Sequence, residues 1–350
     1  NPMAQTYDSG AFESIMDQGL ELADWKGFAA REKTSNANGK LRGRGLATFL
    51  EWTGGNVFEE RVTINITADG VIEVMTALMP MGQGIATSFA QIIVDQFGVP
   101  FDQIRIMHGD TDRANGFGSA GSRSIFAGGS AVEVASVRAI DKAKELAADA
   151  LEVAASDVVY EAPQFKVVGT DKGIGLFELA AKQPDKTIYM DATSSTDGST
   201  WPNGCHICEV EIDPGTGHVQ VAQYANVNDV GRVMNPMIVT GQLEGGAVQG
   251  IGQALCEAVV YEQESGQLQT GSFMDYAMPR ADIIGEFRTA MDQSIPCKTN
   301  RLGVKGVGEL GTIGATPAIA NAVFDALLRH GVPADTVLAM AMPLSPDKVW

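Results

Sequence analysis

Glu309 stands as a single carboxylate in a run of glycines and apolar residues, Leu302-Gly303-Val304-Lys305-Gly306-Val307-Gly308-Glu309-Leu310-Gly311-Thr312-Ile313-Gly314-Ala315, where Lys305 is the other charge. A carboxylate kept from water in such a stretch is suited to accept a proton as a general base, an effect that a close Lys305 would oppose. The same spacing also fits an ordinary loop carboxylate. Two further glycine-rich segments could hold a ligand. Met81-Gly82-Gln83-Gly84 precedes a helical pattern, and free amides at a helix N-terminus can bind an anion or a polar ring edge; a tight turn is the plainer reading. Gly116-Phe117-Gly118-Ser119-Ala120-Gly121-Ser122-Arg123-Ser124, then Gly128-Gly129 and a long helical pattern, sets serines and an arginine among glycines. That composition suits a phosphate or pyrophosphate cradle, or else a linker. The chain has no GK[ST], so nucleotide hydrolysis is not implied, and it has neither a GxSxG serine nor an HExxH zinc pair.

Cys205-His206-Ile207-Cys208 has CxxC spacing, but no second CxxC accompanies it and Cys205 falls just ahead of an alternating strand pattern. A buried pair of small side chains is therefore expected, rather than zinc or redox chemistry. Four cysteines, Cys205, Cys208, Cys256 and Cys297, are too few and too widely spaced for a disulfide scaffold. A net charge of −18 leaves no basic face for tracking phosphates, so nucleic acid is not an expected partner. No run of 18 apolar residues occurs, so no membrane span is expected, and the start of the chain lacks the basic and apolar stretches of a secretory leader. A cytoplasmic location is the expectation that follows.

The elements that must position these residues are legible in the hydrophobic pattern. A chain of 350 residues is long for one domain, so two lobes are expected, 1–190 and 191–350, divided in the Ser/Thr/Asp-rich stretch 184–204 that reads as irregular. In the first lobe, 12–28 reads as a helix, 59–66 and 71–78 as a hairpin, and 87–97 as a helix. A short strand at 103–107, a polar loop at 108–124, a long helix at 131–155, a hairpin at 157–168 and a helix at 176–182 complete it. In the second lobe, 207–212 and 219–227 form a hairpin, 239–259 a helix followed by the start of a strand, and 317–328 a helix with Pro317 in its first turn and Gly331 past its end. Strand pairs beside long helices, without regular βαβ alternation, make the class α+β: two α/β lobes with mixed sheets and long helices.

The three glycine-rich segments, in this order, resemble the molybdenum-binding subunits of the xanthine dehydrogenase and aldehyde oxidoreductase family, the molybdenum hydroxylases. The likeness includes Thr6-Tyr7-Asp8-Ser9-Gly10, Met81-Gly82-Gln83-Gly84, Gly109-Asp110-Thr111-Asp112, Gly121-Ser122-Arg123-Ser124, and Cys205-His206 ahead of Glu209-Val210-Glu211-Ile212-Asp213. It continues through Asp229-Val230-Gly231-Arg232 with Asn235-Pro236, Gly245-Gly246-Ala247-Val248-Gln249-Gly250, Gly306-Val307-Gly308-Glu309 and Pro317-Ala318-Ile319-Ala320-Asn321-Ala322. Each motif alone is modest; their shared order is specific.

The resemblance implies the fold of the C-terminal molybdopterin-binding region of these enzymes. It also implies that Gly82, Gln83 and Gly84 contact the molybdopterin dinucleotide, in its cytosine form in bacteria, with Gly121, Ser122 and Ser124 as a second contact segment. Gln249 matches a glutamine against the pterin, and Glu309 the carboxylate beside the molybdenum, the base of a hydroxylation at an electron-poor carbon of an aldehyde or N-heterocycle. The metal is held by the pterin dithiolene, so no protein ligand set is implied. Implied partners are the N-terminal half of the molybdenum subunit, a 2Fe-2S subunit and an FAD subunit, with a small-molecule substrate. The family's preceding segment is not in this sequence, so the chain is expected to be a split subunit, a cleavage product or a fragment that cannot form a whole active site alone. Leu310, where smaller residues or Pro are usual, and Ile85, where His is frequent, depart from the family pattern. An aerobic CO dehydrogenase large subunit, which shares these motifs, and a non-catalytic pterin-binding module are the alternatives.

Overall fold

Strand Asn203–Ile212 is buried on both faces, and the two faces recruit different helices. The computed structural model describes residues 4–350; residues 1–3, the start of the stretch read as lacking a leader, lie outside it. Cys205 and Ile207, with Ala225 and Val227 of strand Val219–Asp229, pack on Ile15 of helix Phe12–Leu22. Cys208, Val210 and Ile212 instead meet Ala315, Ala318, Ile319 and Ala322 of helix Leu310–Arg329, beside Ala247 and Ile251 of helix Pro236–Leu255. This sheet runs in the order Leu41–Leu50, Asn203–Ile212, Val219–Asp229, Ile284–Asp292, with the last pair parallel. Burying an aliphatic side chain fully contributes about 1.5–3 kcal/mol, so the two-sided strand is the keel of this unit.

Leu41–Leu50 reads poorly as a strand because it carries Arg42-Gly43-Arg44-Gly45 in place of an alternating pattern. The glycines are there for the helix. A Cβ at Gly43 would lie 2.2 Å from the Ala322 carbonyl oxygen, and one at Gly45 2.0 Å from that of Ala318. Arg42 is used on the sheet, bonding Glu209 at 2.7 Å and Glu211 at 3.0 Å. Helix Leu310–Arg329 starts well before the expected 317, so Pro317 lies inside it. The lost Pro N–H is tolerated because Leu310, Gly311, Gly314 and Ala315 are buried against neighbours on that first stretch. By length and a hydropathy of 1.2 this helix alone among the described residues could cross a membrane. Its apolar face is spent on the core just described.

The second compact unit comprises Trp52–Thr200 and Cys297–Gly306; the first comprises Asn1–Glu51, Trp201–Pro296 and Val307–Trp350. Both are therefore discontinuous, where a single division at 190/191 was expected. The reason is pairing: Leu41–Leu50 hydrogen-bonds to Asn203–Ile212 along its full length. In the second unit the sheet order is Ile104–Met107, Ile72–Thr76, Glu59–Thr67, Thr187–Ser195. The last strand takes up much of the stretch expected to be irregular; Ile188 and Ala192 point inward while Tyr189, Asp191, Thr193 and Ser195 on the other face are exposed. Helix Ser130–Leu151, preceded by the wide turn Ser124–Gly129, and helix Ile85–Phe97 cover the sheet, and Val158–Glu161, Gln164–Val167 and Gly173–Gly175 form a small separate sheet. Mixed sheets with long helices in both units make the fold α+β.

Candidate functional site

In the second unit the first two glycine-rich segments meet at one carbonyl group. Helix Ile85–Phe97 begins directly after Gly84, and Gly82 and Gly84 both take left-handed backbone, with φ of 89° and 73°. Gln83 folds its side chain back on this loop: Nε2 donates to the Met79 carbonyl at 2.9 Å, and Oε1 accepts from the Met81 amide. A Cβ added at Gly82 would meet nothing within 4 Å, so that side of the loop is open. The Met79 carbonyl also accepts from Ser119 Oγ at 3.1 Å, and Ser119 Oγ lies 2.9 Å from Ser124 Oγ. Ser119 and Met79 were not singled out in the sequence; the signal for Ser119 was its place in the same tract.

Gly121 and Ser122 are the turn of the second segment, with φ of 52° and 57°. The Gly121 carbonyl accepts from the Gly54 amide at 2.7 Å. Gly306 presses on Ser122 so closely that a Cβ there would lie 2.5 Å from the Ser122 carbonyl oxygen. Arg123 is not part of any cradle. Its side chain is fully buried and pairs with the fully buried Glu60 at 2.7 Å, with further bonds to the carbonyls of Val57, Glu59 and Gly118. Burial pushes the Glu60 carboxyl above its ordinary range, and the Arg123 bond pulls it partly back. The expected cationic phosphate contact at this position is thus an internal strut.

The first unit brings Gln249 to the helix that Glu309 opens. Helices Pro236–Leu255 and Leu310–Arg329 cross with almost nothing between their backbones: a Cβ at Gly311 would be 2.4 Å from both the Ala247 amide and the Leu243 carbonyl oxygen. At this crossing Thr312 Oγ1 donates to the Gly246 carbonyl at 2.8 Å and sits 3.3 Å from Gln249 Oε1. Glu309 is the N-cap residue of the same helix, one turn before Thr312, and its carbonyl accepts from the Ile313 amide at 3.1 Å. The glycine-lined loop expected around it ends at Glu309, because residues 310–315 are already helical. Glu309 is exposed and Lys305 is buried, so this chain does not itself desolvate the carboxylate.

Cys205 and Cys208 face opposite sides of their strand, in different cores, and cannot converge on one metal. Burial pushes the Cys205 thiol up to about 11 and that of Cys208 higher still. His206, between them, supports the helix of Glu309. A Cβ at Gly314 would lie 2.3 Å from its Nδ1. Asn228 Nδ2 donates to Asn226, which leaves Asn228 Oδ1 to accept from His206 Nε2 at 3.0 Å, while Nδ1 takes the Tyr224 hydroxyl at 2.7 Å. This neutral ring is satisfied, and burial holds it down to about 4. The unfolded histidine gains its proton near 6.5, so between 6.5 and 4 the unfolded state binds more protons and stability must fall as pH falls. The expected loss is about 3 kcal/mol across that window. Urea unfolding at pH 7 and pH 4.5 checks it: a His206→Gln variant should show a smaller pH difference than the parent, and an equal difference would refute the assignment.

In each unit the candidate side chains are amides and hydroxyls on glycine-bared backbone, and the first unit adds the exposed carboxylate of Glu309. That donor set fits a polar, ring-bearing cofactor better than a metal ion bound by the chain itself. A family model described as the molybdopterin cofactor-binding domain matches residues 18–285. The chain is 34% identical over 354 residues to the 6-hydroxypseudooxynicotine dehydrogenase complex subunit gamma of Paenarthrobacter nicotinovorans, covering 98% of this chain and 44% of that protein. It is 30% identical over 369 residues to the carbon monoxide dehydrogenase large chain of Hydrogenophaga pseudoflava, covering 98% of this chain and 45% of that one. The solved quinoline 2-oxidoreductase of Pseudomonas putida 86 superposes with a TM-score of 0.86 at 32% identity, over 100% of this chain and 46% of that one. The chain thus spans less than half the length of the relatives it matches.

Proposed function

The chain belongs to the molybdopterin cofactor-binding family of molybdenum hydroxylase large subunits, and from that premise we propose that it is the cofactor-binding and base-carrying part of a hydroxylase acting on an N-heteroaromatic or aldehyde substrate. The observation that carries this reading is the match along essentially the whole chain to a quinoline oxidoreductase and a 6-hydroxypseudooxynicotine dehydrogenase subunit. The carbon monoxide dehydrogenase alternative rests on a lower identity, 30% against 34%. No feature of the site favours a non-catalytic module.

In this reading Gly82, Gln83, Gly84, Gly121, Ser122, Ser124 and Gln249 are the residues that hold molybdopterin cytosine dinucleotide. When bound, the cofactor supplies the two-electron redox change and the reacting oxygen. Glu309, mounted on the rigid start of its helix, accepts the proton released as that oxygen is transferred. Thr312, bonded to the Gly246 carbonyl, holds the two helices together beside Gln249, so base and pterin contact share one helix crossing. The remaining half of the large subunit supplies the substrate pocket, and 2Fe-2S and FAD subunits carry electrons away, in a cytoplasmic complex.

Turnover in water enriched in oxygen-18 tests the reaction class. The assembled complex, given quinoline or a related heterocycle and a dye acceptor, is expected to yield a product two mass units heavier. A product carrying oxygen from O2 rather than water, or a copper-containing centre with CO oxidation, would overturn the proposal.

A further inference from the structure

The hydroxyl of Ser124 has its proton committed inward, and this decides what it can hold. A carbonyl oxygen only accepts, so in the contact with Met79 the single Ser119 proton goes to Met79, at 3.1 Å. Ser119 therefore faces Ser124 with lone pairs, and Ser124 must be the donor in their 2.9 Å contact. Ser119 is 7% exposed, so water has little access to compete for that arrangement. What Ser124 offers outward is lone pairs alone. The Arg123 guanidinium does not reverse that polarity, since it is turned into the core against Glu60.

We infer that Ser124 receives an N–H donor of the bound cofactor, an amino-bearing ring edge, and not a phosphate oxygen. An unprotonated phosphate oxygen beside Ser124 would face lone pair to lone pair, which costs rather than gains. Two amino edges have this chemistry, that of the pterin and that of cytosine. Ser119 is the positioning residue: it fixes the polarity of Ser124 and ties it to the carbonyl that Gln83 also grips. The inference rests on the proposal that Ser124 lies at the cofactor, and it reverses the phosphate-cradle expectation for this segment.

A structure of the assembled, cofactor-loaded complex at high resolution is the test. The expected result is an amino nitrogen within about 3.2 Å of Ser124 Oγ, with its identity distinguishing pterin from cytosine. A phosphate oxygen at that distance would overturn the inference while leaving the cofactor reading intact. A loaded cofactor that leaves Ser124 untouched would overturn it as well, and a complex with no cofactor on this chain would remove both. A second measurement reads the same bond: Ser124→Ala should speed cofactor loss from the complex about fivefold, whereas an unchanged rate counts against it.

Discussion

Glu309→Gln in the assembled complex is expected to lower kcat by about 10²- to 10⁴-fold, the usual contribution of a positioned general base. The substitution keeps the shape and the hydrogen-bonding reach of the side chain and removes its capacity to take a proton. Because the side chain is exposed and makes no side-chain cap bond to its own helix, folding should be untouched. KM should change little, since the loss falls on the transition state and not on substrate binding. Steady-state kinetics beside cofactor content separates the cases. A variant with full molybdenum content and parental kcat would remove Glu309 from the reaction.

The second large effect is structural. Arg123→Met should destabilise the second unit by about 3–5 kcal/mol, because it leaves Glu60 buried without its counter-charge. Glu60 Oε1 already has no hydrogen-bond partner, so the variant carboxylate would keep only the weak compensation of nearby backbone. Burial raises the folded-state Glu60 pKa, which makes the folded state the better proton binder. The loss should therefore be smaller at pH 5 than at pH 8. Arg123→Met combined with Glu60→Gln should recover part of the stability. Guanidinium unfolding of the three variants reads this directly, and an additive double variant would contradict the coupling.

Much of the fold was readable because its elements obey one period each. Val62, Ile64 and Ile66 alternate, and helix Leu176–Lys182 is bounded as its pattern suggests. The failures have a common cause: contacts made far along the chain. Leu41–Leu50 hides its strand behind glycines required by a helix nearly 280 residues later, and Thr187–Ser195 hides behind a polar outer face. Ile284–Asp292 is an edge strand, partly exposed throughout, and shows little alternation. Glycine spacing marked the two loops and Glu309 as candidates for the site. It did not reveal that Arg123 turns inward, because an arginine among glycines looks the same whether its partner is phosphate or a carboxylate on another strand. Nor could it place Glu309 at a helix start, where Pro317 seemed to mark the first turn. The hydroxyl relay from Ser124 to Met79 depends on two loops meeting, which no local pattern records.

The most direct test of the cofactor assignment is the composition of the purified complex containing this chain. Molybdenum by mass spectrometry of the metals, and CMP released from the denatured protein, are expected near one each per chain. Intact complex with neither molybdenum nor released nucleotide, under conditions where a known molybdenum hydroxylase loads fully, would contradict the account.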